Sequence, residues 1–218
     1  MDYNLEDLPV VFINIKHRTD RLTHIVDQLN KYKFKNINRF NAHYIPKNGH
    51  LGCAKSHLGV IDFAIEKDFE QILILEDDFE FIHDVDFTHK ILINIIDQNW
   101  DVVLLTHLWG KEHKSESNFL KKIKLAQTSP AYLVKKNYYC KLKNMLQYCI
   151  NNMSDQCTSE TGREPLALDQ QWKKLQEEDN WFVANPKLGN QKKELISTIQ
   201  STTNYNMSNK EPNVRKKC

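Results

Sequence analysis

Apolar residues along the chain fall into two rhythms. Short continuous runs, VVFINI (residues 10–15), QILIL (71–75), DVVLLTH (101–107), AYLV (131–134) and NWFVA (180–184), read as buried strands, and INRFNA (37–42) as a further strand. Between them apolar residues recur at helical spacing. Leu22, Ile25, Val26, Leu29 and Tyr32 follow Thr19, the expected N-cap, and Leu58, Ile61 and Ile65 lie on one face of a helix over 54–67. Phe87, Ile91, Leu92, Ile95 and Ile96 mark a third helix, and residues 135–151 a long fourth with Tyr138, Leu142, Leu146 and Cys149 inward. LALDQQWKKLQ (166–176) reads as a fifth. KKIKLAQ (121–127) and AYLV make two more strands, a hairpin being one arrangement, while GKEHKSESN (110–118) and NMSDQCTSETGREP (152–165) read as loops.

Strands alternating with helices predict an α/β sheet covered on both faces. No internal repeat or linker divides the chain, so residues 1–200 read as a single domain and the polar residues 201–218 as a mobile tail. With 30 Lys plus Arg against 28 Asp plus Glu, no charge bias points to nucleic acid. No apolar segment approaches the ~20 residues of a membrane span, and the acidic start lacks a signal peptide's basic residues. Five cysteines without a CxxC pair argue against a disulfide framework or zinc knuckle and for a reducing compartment, so a cytoplasmic protein is expected.

Four segments carry candidate chemistry. QILIL runs directly into Glu76, Asp77 and Asp78. Strand carboxyl ends are where open α/β sheets bind ligands, and on an extended backbone Glu76 and Asp78 point one way and Asp77 the other. The cluster is either a solvated strand end or a half-site for Mg²⁺ or Mn²⁺ completed by phosphate oxygens. In INIKHRTDR, after the first strand, Arg18 and Arg21 are suited to phosphate and Asp20 to fixing an arginine or a ribose hydroxyl, unless all three are ordinary solvated residues. In GHLGCAKSHLG the glycines suit a tight turn into an anion-attracting helix N-terminus, with Ser56 and His57 in its first turn. His57 is a proton donor, a phosphate ligand or a structural histidine. Asp169, beside Ala167, Leu168 and Trp172, is either a desolvated general base or a helix N-terminal residue stabilised by the macrodipole. No nucleophile elbow, P-loop or GxGxxG is present.

In this order the segments resemble glycosyltransferase family 25. INIKHRTDR is similar to the family's INL-x-x-R-x-D-R, FNA to its F-x-A strand, GCAKSH to G-C-A-x-S-H, and LILEDD matches outright. TSPAYLVKK, LDQQWKKL and PKLGNQ resemble its later YLI-x-K, D-x-x-W-x-x-L and P-x-L-x-x-Q elements. The resemblance implies a GT-A-like nucleotide-diphospho-sugar transferase fold with a mixed, mostly parallel sheet. It also implies inverting transfer of a hexose, galactose or glucose, from a UDP-sugar to a hydroxyl of a glycan or protein acceptor.

Carried over residue by residue, Glu76 and Asp78 would hold Mn²⁺ or Mg²⁺. Asn14, Arg18, Asp20, Arg21, Ser56, His57 and Asp77 would shape the donor side, and Asp169 would be the base. The chain departs from the pattern in a short segment over 42–52, with His50 in place of a glutamate, and in STI (197–199) in place of S-D-I. No histidine follows His113, so Gln191 or water would take the place of a late histidine ligand. The missing aspartate motivates an alternative: a non-catalytic sugar-nucleotide or glycan-binding module. A metal-dependent nucleotidyltransferase shares the same architecture and paired carboxylates.

Overall fold

The computed structural model describes residues 4–112, 117–128, 130–155 and 164–195. The tail over 201–218, the STI segment and the middles of the two expected loops (113–116 and 156–163) lie outside the described residues.

Among the described residues the expected strand segments form seven strands of one sheet: β1 (Val10–Asn14), β2 (Ile37–Asn41), β3 (Gln71–Glu76), β5 (Val102–Leu104), β7 (Leu120–Gln127), β8 (Ala131–Lys135) and β9 (Trp181–Ala184). An eighth, β6 (Trp109–Glu112), takes up the first residues of the expected loop over 110–118, where the backbone pairs with β7. Their order across the sheet is β2-β1-β3-β8-β5-β9-β7-β6. Strands β2, β1, β3, β5, β9 and β6 run one way, and β8 and β7 the other, so the sheet is mixed and mostly of one direction. β7 and β8 do not form a hairpin. β8 is inserted between β3 and β5, and β7 pairs with β9 and β6. The reason lies in their patterns: β8 is buried along Ala131–Val134 and needs cover on both faces, whereas β7 is buried only at Leu120, Ile123 and Ala126.

Among the described residues five α-helices cover the sheet: α1 (Thr19–Lys31), α2 (Gly49–Glu66), α3 (Val85–Ile96), α4 (Tyr139–Asn152) and α5 (Leu168–Glu178). Alternate residues of each strand feed two cores. Val10 and Phe12 of β1 and Leu73 and Leu75 of β3 pack with Ile25 and Leu29 of α1 and Ile91, Leu92 and Ile95 of α3. Val11, Ile13, Ile72 and Ile74 pack on the opposite side with Val60 and Ile61 of α2, Leu142 and Leu146 of α4 and Trp172 of α5. No helix among the described residues is long and apolar enough to cross a membrane.

Three further local features differ from expectation. Helix α1 has Arg18 at its N-cap, without a side-chain cap, and Thr19 is already helical. Helix α2 starts at Gly49, capped by the Asn48 side chain on the Leu51 N–H, five residues before the expected start. Ser56 and His57 therefore lie in the helix interior, not in an anion-attracting first turn. Gly52 serves a close approach: a Cβ there would come within 2.4 Å of the His43 carbonyl oxygen. Finally, β4 (Phe79–Phe81) and β10 (Gly189–Gln191) pair antiparallel as a small second sheet. Gly189 permits that pairing, because a Cβ would meet the Phe79 ring at 2.2 Å.

Candidate functional site

The parallel register brings the carboxyl ends of β1, β2 and β3 level, with Asn14 opposite Asn41 and Ile13 opposite Glu76. After Glu76 the backbone turns through Asp77 and Asp78 into β4. The three carboxylates separate by environment, Asp77 toward β1 and α1 and Glu76 with Asp78 toward the outer of two hollows, while Arg21 reaches both aspartates.

Asp77 faces β1 and α1. It accepts 2.7 Å hydrogen bonds from Asn14 Nδ2 and Arg21 Nη1 and is buried. Burial pushes its carboxyl up, while Arg21 and Asn14 pull it back. Asn14 is itself fully buried, donating also to the Arg18 carbonyl and accepting from Arg39 Nη2. Arg21 Nη2 lies 3.1 Å from Asp78 Oδ2 and donates to the Leu195 carbonyl. Asn14, Arg21 and Asp77 thus tie the first strand, first helix and acidic turn together. Arg18 is held bidentately by Asp20, at 2.9 and 2.7 Å, and neither lines the cleft described below. The Arg18 partner holds the Asp20 carboxyl down at about 2.

Asp78 is equally buried but less well matched. Its Oδ1 makes no hydrogen bond, and burial, followed by the Glu76 charge, pushes its carboxyl up to about 7. Glu76 is half-buried, with Gln191 Nε2 at 3.5 Å from Oε2 and His57 Nε2 at 3.6 Å from Oε1. His57 is buried, its Nδ1 2.9 Å from the Tyr132 hydroxyl. Ser56 Oγ donates to the Gly52 carbonyl and accepts from the His43 N–H, so it braces the start of α2.

Two connected hollows meet at Glu76 and Asp78. The inner one, about 130 Å³, is bounded by Ile13, Arg21, Tyr44, Ser56, His57 and Asp77, and the outer, about 740 Å³, by His50, Thr106, His107, Asp169 and residues 190–195. Gln191 and Cys53 border both. Their size suits a ligand as large as a nucleotide sugar. Asp169 sits in the first turn of α5, half-buried, accepting from the Thr128 N–H at 3.1 Å. Trp172 does not cover it: the indole is buried in the core and donates to the Ala126 carbonyl.

Sequence reasoning did not single out His107, Thr106, Lys192 or Cys53. His107 is buried, 3.0 Å from Glu112 Oε1, with Nδ1 unpartnered; burial and then Lys187 hold its pKa low. It follows the apolar run of β5, the same signal that exposed Glu76.

The family model described as glycosyltransferase family 25 (LPS biosynthesis protein) matches residues 47–211. The chain belongs to glycosyltransferase family 25. No curated protein matches this glycosyltransferase in sequence. Solved structures similar to it include A197 from STIV, at 15% identity over 81% of each chain with a TM-score of 0.44. A glycosyltransferase involved in the glycosylation of the major capsid of PBCV-1 is 12% identical, covering 88% of this chain and 96% of that one, TM-score 0.45. The mannose-1-phosphate geranyltransferase of Thermus thermophilus is 9% identical, over 81% and 73%, TM-score 0.46.

Proposed function

We propose that this family 25 glycosyltransferase is an inverting, GT-A-like enzyme that moves a hexose, galactose or glucose, from a UDP-sugar to a hydroxyl of a glycan or protein acceptor in the cytoplasm. The observation that carries the reading is the buried, partnerless Asp78 Oδ1 beside Glu76 at the junction of the two hollows. Two carboxylates repel each other in a cleft, with an amide from Gln191 close by and Arg21 shared with Asp77, so the site is short of positive charge. Mn²⁺ or Mg²⁺ held by Glu76 and Asp78 would neutralise charge developing on the departing diphosphate.

The protein's own groups do the rest. Arg21 stays on the two aspartates and keeps the turn rigid, so Asp78 is oriented before any donor arrives. Asp169, which lines the outer hollow, takes the acceptor hydroxyl's proton. The acceptor oxygen forms a bond to the anomeric carbon as the bond to phosphate breaks, and UDP leaves with the pair of electrons.

The test is incubation with Mn²⁺ and a panel of UDP-sugars, following UDP release and transfer to glycan acceptors. UDP release that disappears in Asp169→Asn is expected. Thermal stabilisation by UDP without turnover of any donor would replace this reading with the binding module. Pyrophosphate released from a nucleoside triphosphate would indicate the nucleotidyltransferase.

A further inference from the structure

Cys53 and His57 stand four residues apart on α2, so their side chains share one helix face. Glu76, the last residue of β3, meets them from the sheet. Ligand atoms of the three residues all lie within 4.8 Å of one another. The two halves of the trio are fixed independently. Gly52 lets α2 approach the β2–α2 connection at a distance no side chain permits, and Glu76 is registered against Ile13 of β1.

The imidazole supplies the second observation. His57 is 1% exposed, and its Nε2 is buried without a hydrogen bond. That nitrogen lies 3.6 Å from Glu76 Oε1, beyond hydrogen-bonding distance. On the other side of the ring, Nδ1 and the Tyr132 hydroxyl are 2.9 Å apart. When Nδ1–H donates to that oxygen, Nε2 is left as a lone pair directed at Glu76. A histidine oriented through its second nitrogen in this way is the usual arrangement for metal ligation. The Tyr132 ring in turn is held by Trp172, at 6.1 Å edge to face, so the imidazole's orientation is anchored in the core.

We propose that Cys53, His57 and Glu76 form a three-ligand site for a borderline-soft divalent cation, Zn²⁺ foremost, with its fourth position open to the cleft. Sulfur, imidazole nitrogen and one carboxylate oxygen are a donor set for Zn²⁺ or Co²⁺, whereas Mg²⁺ and Mn²⁺ prefer oxygen alone. Bond lengths of ~2.0–2.3 Å around a tetrahedral ion put ligand atoms roughly 3.3–3.8 Å apart, so closing the trio needs side-chain shifts of about 1 Å. Burial first, and then the charges of Glu76, Asp169 and Asp78, push the Cys53 thiol well up, so a cation bound there has to displace the thiol proton. Because Glu76 also belongs to the pair with Asp78, zinc here would compete with a hard cation there. The proposal does not rest on sugar transfer, since Asp78 and Asp169 are outside the trio.

The experiment is titration of the full-length, tag-free, reduced chain with Co²⁺, followed by absorption spectroscopy. Saturation at one ion per chain is expected, with intense tetrahedral visible bands and a near-ultraviolet thiolate-to-cobalt band, all bleached by one equivalent of Zn²⁺. Cys53→Ser should lose the near-ultraviolet band with its far-ultraviolet circular dichroism unchanged, and Asp78→Asn should keep it. Absence of the thiolate band in the wild type, its persistence in Cys53→Ser, or its loss in a folded Asp78→Asn would overturn the proposal. Failure of every transferase assay would leave these spectra unaffected, so the two readings fail separately.

Discussion

The two sides of the acidic turn are built from the same residue type and do opposite things. On the α1 side, Asp77 is enclosed by Asn14 and Arg21, with both oxygens matched at 2.7 Å. On the cleft side, Asp78 is buried to the same degree yet keeps an oxygen without a partner and faces the Glu76 charge. A buried carboxylate that is fully paired is a structural device. One left partly unmatched at the mouth of a cleft is poised for a ligand. The comparison teaches that consecutive carboxylates in one motif need not share one role.

The largest effect should come from breaking the α1 side. Arg21→Met leaves two buried aspartates without their common cation and should cost about 3–5 kcal/mol of stability, read by denaturant unfolding. A loss under ~1 kcal/mol would mean the turn does not depend on the arginine. Next is the wall of the cleft. Gly189→Ala puts a Cβ 2.2 Å from the Phe79 ring, so a loss of about 1–3 kcal/mol is expected from overpacking. Gln191 should move with that strand, weakening UDP-sugar binding as read by calorimetry.

A smaller effect distinguishes the two sides by pH. Folded Asp78 keeps its proton up to about 7, against about 4 in an unfolded chain. Over that window the folded state binds more protons, so stability falls as pH rises from about 4 to 7. Asp77, also pushed up, adds to the same slope, while Asp20, held at about 2, acts in the opposite sense only below about pH 4. Tm measured against pH in a chelator should decline across the window for the wild type and flatten in Asp78→Asn; an equally steep decline in the variant would contradict the assignment. The smallest effect should be that of Arg18→Ala. Its Asp20 partner is 52% exposed, so stability should change by no more than about 1 kcal/mol.

Much of this arrangement was legible in the sequence. The apolar runs and helical spacings mark the central strands and all five helices, because both periods come directly from which residues must be buried. The rule that ligands gather at strand carboxyl ends picks out Glu76 and the region of Arg21. What was not legible depends on tertiary contact. Glycines at 49 and 52 suggest a turn, yet both lie in α2, and Gly52 is where that helix passes close to the His43 carbonyl. Strands of three residues, β4 and β10, are too short for any period to show, and only the Phe79 ring over Gly189 explains their pairing. Asn14 and Arg21 sit in the expected region, but that their polar groups are engaged with Asp77 and with backbone follows from the parallel alignment of β1 and β3, which no local pattern encodes. His107 carries the same signal as Glu76, a polar residue after an apolar run, and was readable by the same rule.

The central claim is that Asp78, and not Asp77, serves the cation. Mn²⁺ binding, followed by the electron paramagnetic resonance signal of the free ion, tests it in Asp77→Asn and Asp78→Asn side by side with UDP present. The account predicts that Asp78→Asn folds with an undiminished Tm but leaves the Mn²⁺ free, while Asp77→Asn loses stability and still takes up the ion in its folded fraction. Undiminished Mn²⁺ binding by Asp78→Asn would contradict it.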